Sequence, residues 1–195
     1  MLTPLRVLAV ASLLLAPTLL GANAATTTAP DSVGLEFLGF RAGARLDEIQ
    51  RHLRGIGGGR LRCRQSRVDQ RVSECRALLN DAESGGGAVD VWVSAMDSMA
   101  GVITLSGVVA PGQLERWRGS LEGSYGRVGT RIQGAQWMLQ WVRRGRMIRL
   151  TWRLERGGKV ASVSLVDGHV LDGWGRRGSS VLGRRVPAQP TSRTK

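Results

Sequence analysis

The chain has 195 residues, of which 28 are basic and 15 are acidic, giving a formal net charge of +13. Beyond the N-terminal stretch, no segment is long and apolar enough to cross a membrane, which excludes a protein of several transmembrane helices. The length that remains fits one domain, or two small similar halves.

The first 24 residues have the pattern of a secretory signal peptide. Arg6 precedes an apolar run, and the small residues GANAA match the sequence that signal peptidase reads, which predicts cleavage after Ala24. An uncleaved membrane anchor is the alternative, although the run is short and Pro17 interrupts it. Residues 25–34 are predicted to form a flexible leader. The mature protein is therefore expected in the periplasm or outside the cell.

Residues 35–172 are predicted to form one α+β domain that contains two helices. Apolar residues recur at helical spacing within residues 44–56 and again within 110–126. Pro111 is placed to open the second helix and Gly126 to close it.

After each helix the apolar period changes to two, which is typical of strands in an antiparallel sheet. The candidate strands lie near residues 60–66, 71–79, 88–95, 101–109, 135–143, 146–155 and 159–167. The pattern predicts an antiparallel sheet of about six or seven strands with both helices packed on one face. Matching stripes at Leu46 and Leu114 indicate a tandem repeat with halves 35–110 and 111–172. A chance match of two short stripes is the alternative.

Cys63 and Cys75 are the only cysteines. In an exported chain such a pair predicts a disulfide. If the two face each other across an antiparallel hairpin, Arg64 lies opposite Glu74, which is an attractive cross-strand pair. A redox pair would need the Cys-x-x-Cys spacing, which this chain lacks.

The motifs that suggest catalysis or a cofactor lack their required context. The pattern G-x-G-x-x-G at 173–178 follows the last predicted strand, whereas a dinucleotide site needs it to open a helix after a first strand. His52 and His169 add too few ligands for a zinc site, and His52 is interpreted as solvated beside Arg51 and Arg54. No catalytic residue, metal or cofactor is therefore predicted, and a hydrolase of unrecognised type stays open as an alternative.

Residues 136–154 combine three tryptophans with five arginines, a mixture that nucleic-acid binders often show. Two-residue loops at 144–145 and 157–158 would place all three indole rings on one face, with Leu154 opposite Ala161. This partition predicts that the tryptophans are core residues beneath a helix. It does not favour a base-stacking platform, or nucleic acid as a partner.

The opposite face of the same strands is the candidate binding face. It carries Gln136, Gln140, Arg149 and Arg153 among small hydroxyl and a few apolar side chains. Arginine could pair with carboxylate or phosphate, and glutamine could form two hydrogen bonds at once. A solvated sheet surface without a ligand is the alternative interpretation.

Residues 173–195 are predicted to form a flexible basic tail. They contain six basic residues and no acidic one, and Arg176, Arg177, Arg184 and Arg185 are its candidate contacts with an anionic surface. In a cell envelope such surfaces are lipid head groups, lipopolysaccharide and acidic glycans. Abundant arginine could equally reflect genome composition.

The segment GFRAGARLDEIQRHL, residues 39–53, resembles the entry helix of exported bacterial domains that continue with an antiparallel meander. The small outer-membrane assembly lipoproteins (BamE/SmpA-like) share that build, and the β-lactamase inhibitor proteins have it as a tandem pair. The chain lacks the lipidated cysteine of the lipoproteins. The resemblance implies a fold type and a tendency to bind proteins.

These patterns together predict an exported, disulfide-stabilised α+β module that binds an envelope protein without catalysis. Attachment to an anionic envelope polymer or membrane surface through the basic tail is the alternative.

Overall fold

The computed structural model of the chain describes residues 34–80 and 87–176. It is an α+β structure in which three helices accompany an antiparallel sheet of eight strands and a small sheet of two. The predicted signal peptide, the predicted leader up to residue 33 and the predicted tail from residue 177 lie outside the described residues.

The helices and strands follow one another in a simple order. The helices are α1 (Leu46–Gly55), α2 (Gln113–Tyr125) and α3 (Gly168–Arg176). The small sheet consists of β1 (Glu36–Phe37) and β2 (Phe40–Arg41). The strands of the large sheet are β3 (Arg62–Gln65), β4 (Val72–Asn80), β5 (Ala88–Met96), β6 (Met99–Val108), β7 (Arg131–Gln133), β8 (Gln136–Arg143), β9 (Arg146–Glu155) and β10 (Gly158–Asp167). Both predicted helices and all seven predicted strands are present, whereas β1, β2, β7 and α3 were not predicted.

The chain runs twice through one helix followed by four antiparallel strands, and the last strands of the two runs pair with each other. The order across the sheet is β3-β4-β5-β6-β10-β9-β8-β7. Thr104 of β6 lies opposite Ser164 of β10, and Leu105 lies opposite Val163. This pairing joins both runs in one sheet, with β3 and β7 at its two edges.

Alternate residues of the strands point to two faces of different character. One of them, called the core face here, carries buried aliphatic side chains that form a single cluster with residues of α1 and α2. Members of this cluster are Val91, Val93, Leu105, Leu139, Leu150 and Val163 from the strands and Ile49, Leu53, Trp117 and Leu121 from the helices. Burial of each large side chain stabilises the fold by about 1.5–3 kcal/mol.

The predicted hairpin between β8 and β9 is confirmed. Trp141 lies opposite Ile148, as expected from a loop at Arg144 and Gly145. Both loop residues have positive φ angles, 48° and 74°, as the twist of a two-residue hairpin loop requires.

The predicted register between β9 and β10 is wrong by two residues. Ala161 lies opposite Trp152 rather than opposite Leu154. The loop consists of Arg156 and Gly157, so Gly158 is already the first residue of β10. Because side chains alternate with a period of two, this shift leaves every residue on its predicted face.

The prediction that all three tryptophans are core residues holds in full only for Trp141, since Trp152 is partly buried against the core cluster and Trp137 does not belong to it. Trp141 is 3% exposed, and its indole N–H donates to the carbonyl oxygen of Gly126, 2.7 Å away, where α2 ends. Trp137 lies at the other end of β8 and is only partly buried, as is Trp152 opposite it. Their rings stack in parallel, with centroids 6.3 Å apart. The register is right, but burial decreases from Trp141 towards Trp137 and Trp152.

Cys63 and Cys75 form the predicted disulfide between opposite residues of β3 and β4. Arg64 lies opposite Glu74, as expected. A disulfide is compatible with an extracellular or periplasmic location. None of the described helices is long and apolar enough to cross a membrane.

Replacement of both cysteines by alanine is expected to lower the free energy of unfolding by about 3 kcal/mol, because the cross-link closes a loop of 12 residues in the unfolded chain. Urea unfolding followed by tryptophan fluorescence measures the change. A reducing agent should destabilise the wild-type protein to a similar degree and leave the double variant unaffected. Equal stability of the two proteins under oxidising conditions would contradict this account.

Candidate functional site

The face of the large sheet opposite the core face, called the outer face here, carries most of the polar strand residues. Successive strand pairings place six residues side by side in one row: Arg76, Trp92, Thr104, Ser164, Arg149 and Gln140. Neighbouring strands are about 4.8 Å apart, so the row is roughly 24 Å long. The outer face therefore presents a continuous band of polar and aromatic side chains across six strands.

The middle of the outer face is lined by short hydroxyl side chains. Thr104 Oγ1 and Ser164 Oγ lie 3.1 Å apart and share a hydrogen bond across β6 and β10. Ser106, Ser162 and Thr151 form the next row on one side of this pair and are half-buried. Because these side chains are short, the atoms of a bound molecule can approach the sheet closely.

The four residues of the candidate binding face all lie on the outer face. Arg149 donates hydrogen bonds from Nε and Nη2 to the Oε1 atom of Gln140, at 3.3 and 3.1 Å. Arg153 instead forms an ion pair with Glu155, two residues further along β9. Gln136 is half-buried at the start of β8. The structure thus brings Gln140 and Arg149 into direct contact, and places Arg153 and Gln136 nearer the end of the strands.

One end of the outer face is covered by α3. A Cβ atom on Gly101 of β6 would lie 2.9 Å from Leu171, and one on Gly173 would lie 2.8 Å from Met96, so two glycines permit this close packing. Gly173 begins the predicted flexible tail, and the structure corrects that boundary, because α3 extends to Arg176. The other three arginines proposed as tail contacts lie outside the described residues.

Asp167 fixes the start of α3. Its side chain is 2% exposed, and Oδ1 accepts hydrogen bonds from the backbone N–H groups of His169 and Val170, at 2.9 and 3.3 Å. Oδ2 accepts a hydrogen bond from Arg146 Nε, 2.8 Å away. Burial alone would raise the pKa of Asp167, but the Arg146 guanidinium and the two N–H groups outweigh it and lower the pKa overall.

Sequence reasoning missed this cap, although a signal for it is present. Asp167 directly precedes a short segment with apolar residues at Val170, Leu171 and Trp174, and aspartate is a preferred residue at helix starts. The predicted strand 159–167 ends at this residue, and the glycines from Gly173 onward are assigned to the predicted flexible tail.

The histidines have structural contacts. His52 is half-buried, its Nε2 lies 2.7 Å from the carbonyl oxygen of Leu38, and its ring packs edge-on against Phe40. The interpretation of His52 as a solvated residue is therefore wrong. His169 Nε2 lies 3.2 Å from the carbonyl oxygen of Arg144. The described part of the chain has no group of three or more histidine, cysteine, aspartate or glutamate residues that could hold a metal ion.

The outer face can therefore bind by direct side-chain contact, through guanidinium charge, amide hydrogen bonds and one half-buried indole. Comparison of the chain with protein-family models, curated proteins and solved structures gives no match.

Replacement of Asp167 by asparagine is expected to destabilise the protein by about 2 kcal/mol at neutral pH, because the ion pair with Arg146 is lost and the cap is weakened. The folded-state pKa of Asp167 is lowered, so the carboxylate stabilises the fold above its unfolded pKa of about 4. That contribution disappears as the pH falls through the lower folded-state pKa.

The difference in Tm between wild type and Asp167→Asn should therefore be largest at neutral pH and shrink below about pH 4. Thermal melts at a series of pH values measure it. Asp90→Asn, at an exposed position of β5, serves as the control and should shift Tm little. A difference in Tm that grows towards acid pH would contradict the conclusion that the ionised Asp167 stabilises the fold.

Proposed function

We propose that this chain is a non-catalytic binding module of the cell envelope, and that its outer face binds a protein partner. The observation that carries this proposal is the row of polar and aromatic residues across six strands. Tryptophan and arginine are the side chains most enriched among residues that dominate binding energy at protein interfaces. Trp92 and Arg149 both belong to the row and are half-buried, so their orientation is restrained before a partner arrives.

The different cover of the two faces supports the proposal. In this proposal α1 and α2 cover the core face, as indicated by the burial of Ile49, Leu53, Trp117 and Leu121 in the same cluster as the strand residues. The outer face then remains for a partner, apart from the end that α3 covers. The recurring order of one helix and four strands supports an internal duplication with halves 35–110 and 111–172.

The charge of the outer face indicates the kind of partner surface. Arg149 is oriented by the neutral side chain of Gln140, and among the described residues no carboxylate lies within ion-pair distance of it. Glu155, the carboxylate of β9 on this face, pairs with Arg153. A partner that presents an acidic side chain opposite Arg149 would therefore meet a positioned positive charge.

Replacement of Arg149 and Arg153 by glutamate is expected to weaken binding to the partner by at least about tenfold, because two cations of the face become anions. Crosslinking capture from an envelope extract, with identification of the captured protein and a titration against the purified partner, measures the effect.

Arg67→Glu combined with Arg127→Glu is the matched control, since both arginines are exposed in loops away from the outer face and the change in net charge is equal. The control variant should bind like wild type. Equal capture by the outer-face variant would remove the outer face as the binding site.

Attachment through the basic tail is a second proposal, supported by the six basic residues and absence of acidic ones in residues 173–195. Because α3 extends to Arg176, a truncation that tests the tail has to preserve this helix. Deletion of residues 177–195 removes Arg177, Arg184 and Arg185 and keeps every residue that the structure describes.

This deletion is expected to abolish sedimentation of the protein with anionic phospholipid vesicles, and added salt should imitate it, since screening shortens the range of the attraction. Vesicles of zwitterionic lipid serve as the control. Binding that survives both the deletion and high salt would contradict the proposal.

A further inference from the structure

The first edge of the large sheet has backbone groups that point away from it. Among the described residues β3 is hydrogen-bonded only to β4, and all four of its residues are exposed. The N–H of Ser66 donates a hydrogen bond to the carbonyl oxygen of Val72, 2.8 Å away. Because the direction of the backbone groups alternates along a strand, the N–H and C=O groups of Arg64 and Arg62 also point towards β4. The N–H and C=O groups of Cys63 and Gln65 therefore point outward.

A groove of about 630 Å³ runs between α1 and this edge. Its lining includes Leu46, Gln50 and Arg54 from α1, and Arg60, Leu61 and Cys63 from the segment that contains β3. Leu46 and Leu61 give it apolar surface, whereas the two arginines contribute positive charge. A groove bordered by an exposed sheet edge offers the backbone groups that an added strand needs.

Gln50 gives a second, independent sign of a missing partner. Its Oε1 atom accepts a hydrogen bond from the outward-pointing N–H of Leu61, at 2.7 Å, as a neighbouring strand would. This contact identifies the other amide atom as the nitrogen. Gln50 Nε2 is buried and has no hydrogen-bond partner within the described part of the chain. A buried donor without an acceptor is costly, and a small rotation of the Gln50 side chain towards the groove would let a peptide carbonyl satisfy it.

The positive charge along this edge is not neutralised by the described residues. Within residues 34–80 and 87–176, no carboxylate lies within ion-pair distance of Arg54, Arg60 or Arg62, and Arg62 lies directly opposite Arg76. Asp47, a carboxylate that lines the groove, is already paired with Arg51 on α1 and with Arg45, which directly precedes α1. The edge is therefore complementary to an anionic ligand.

We infer that the groove between α1 and β3 is a second binding site, which takes an extended acidic peptide segment of a partner protein as an additional strand beside β3. The backbone groups of Cys63 and Gln65 bond to the peptide backbone, and Gln50 Nε2 donates to one of its carbonyl oxygens. Acidic side chains of the peptide pair with Arg54 and Arg60.

A second copy of this chain fits the edge poorly. Pairing of two β3 strands would bring the arginines of both copies, Arg62 and Arg64, close together, and like charges on adjacent strands repel. An anionic polysaccharide would satisfy the arginines, but it lacks the alternating donors and acceptors that match the strand edge. The site uses none of the outer-face residues Gln136, Gln140, Arg149 or Arg153, so it does not depend on the function proposed above.

The test uses the full mature chain and three fluorescein-labelled heptapeptides with blocked ends. The first alternates glutamate with valine, the second alternates lysine with valine, and the third is the glutamate peptide with alternate backbone nitrogens methylated. Fluorescence anisotropy is expected to show binding of the first peptide alone. Methylation removes backbone donors while preserving charge, so a loss of about tenfold or more identifies strand addition.

Variants then locate the site. Arg60→Glu and Gln50→Glu should each weaken binding of the glutamate peptide by about tenfold. Gln50→Glu keeps the acceptor for the Leu61 N–H, but it loses the Nε2 donor and adds a negative charge. Arg131→Glu on β7 is the matched control for Arg60→Glu, since it makes the same charge change at the opposite edge, and it should bind like wild type. Thermal melts establish that each variant is folded.

Several results would overturn the inference. Equal affinity for the methylated peptide would exclude strand addition, and this comparison needs only the wild-type protein. If Arg131→Glu lost as much peptide affinity as Arg60→Glu, the net charge of the protein rather than the groove would explain the effect. Loss of peptide binding in the double variant Arg149→Glu with Arg153→Glu would move the site to the outer face. Light scattering that shows a dimer, strengthened by Arg62→Glu because the change relieves the repulsion between arginines, would identify a second copy as the occupant.

Discussion

The antiparallel pairing of β6 with β10 is the interaction on which the rest of the structure depends. Each run of one helix and four strands ends in one of these strands, and their pairing turns two four-stranded meanders into one sheet. On the core face it brings Leu105 against Val163, so both helices can share a single buried cluster. On the outer face it brings Thr104 against Ser164, which makes the polar row continuous.

The two edges of this sheet are consolidated by different chemistry at corresponding positions. In the first run, the edge strand is linked to its neighbour by the disulfide between Cys63 and Cys75. In the second run, Ile132 of β7 lies opposite Trp137, which stacks on Trp152 in the next strand. The covalent link holds a fully exposed edge strand in place without needing cover. The stacked rings are only partly buried, and β7, the edge strand beside them, has just three residues.

Local patterns predicted most of the large sheet, because the period of two assigns each side chain to a face regardless of small errors in register. The glycines at 157–158 did not define which two residues form the loop, so the pairing was misplaced by two residues while the faces stayed correct. Burial of Trp137 and Trp152 could not be predicted from the face alone, since residues on one face of a strand pair differ in how far they are buried. Asp167 had a local signal, but glycines after it masked the helix.

Prediction of the sites met a different limit. That Gln140 and Arg149 share a face follows from one hairpin, and the alternation was enough to find them. Trp92 joins them only through β6 and β10, which are distant in sequence, so no local pattern could extend the candidate face beyond β8 and β9. The groove beside β3 is further removed still, because it is built from backbone groups rather than from characteristic side chains. Which strand ends the sheet, and which helix residue lies beside it, are consequences of the whole topology. Gln50 then acquires a role that its position on a helix stripe does not reveal: it takes the place of a missing strand for Leu61 and leaves one donor unsatisfied.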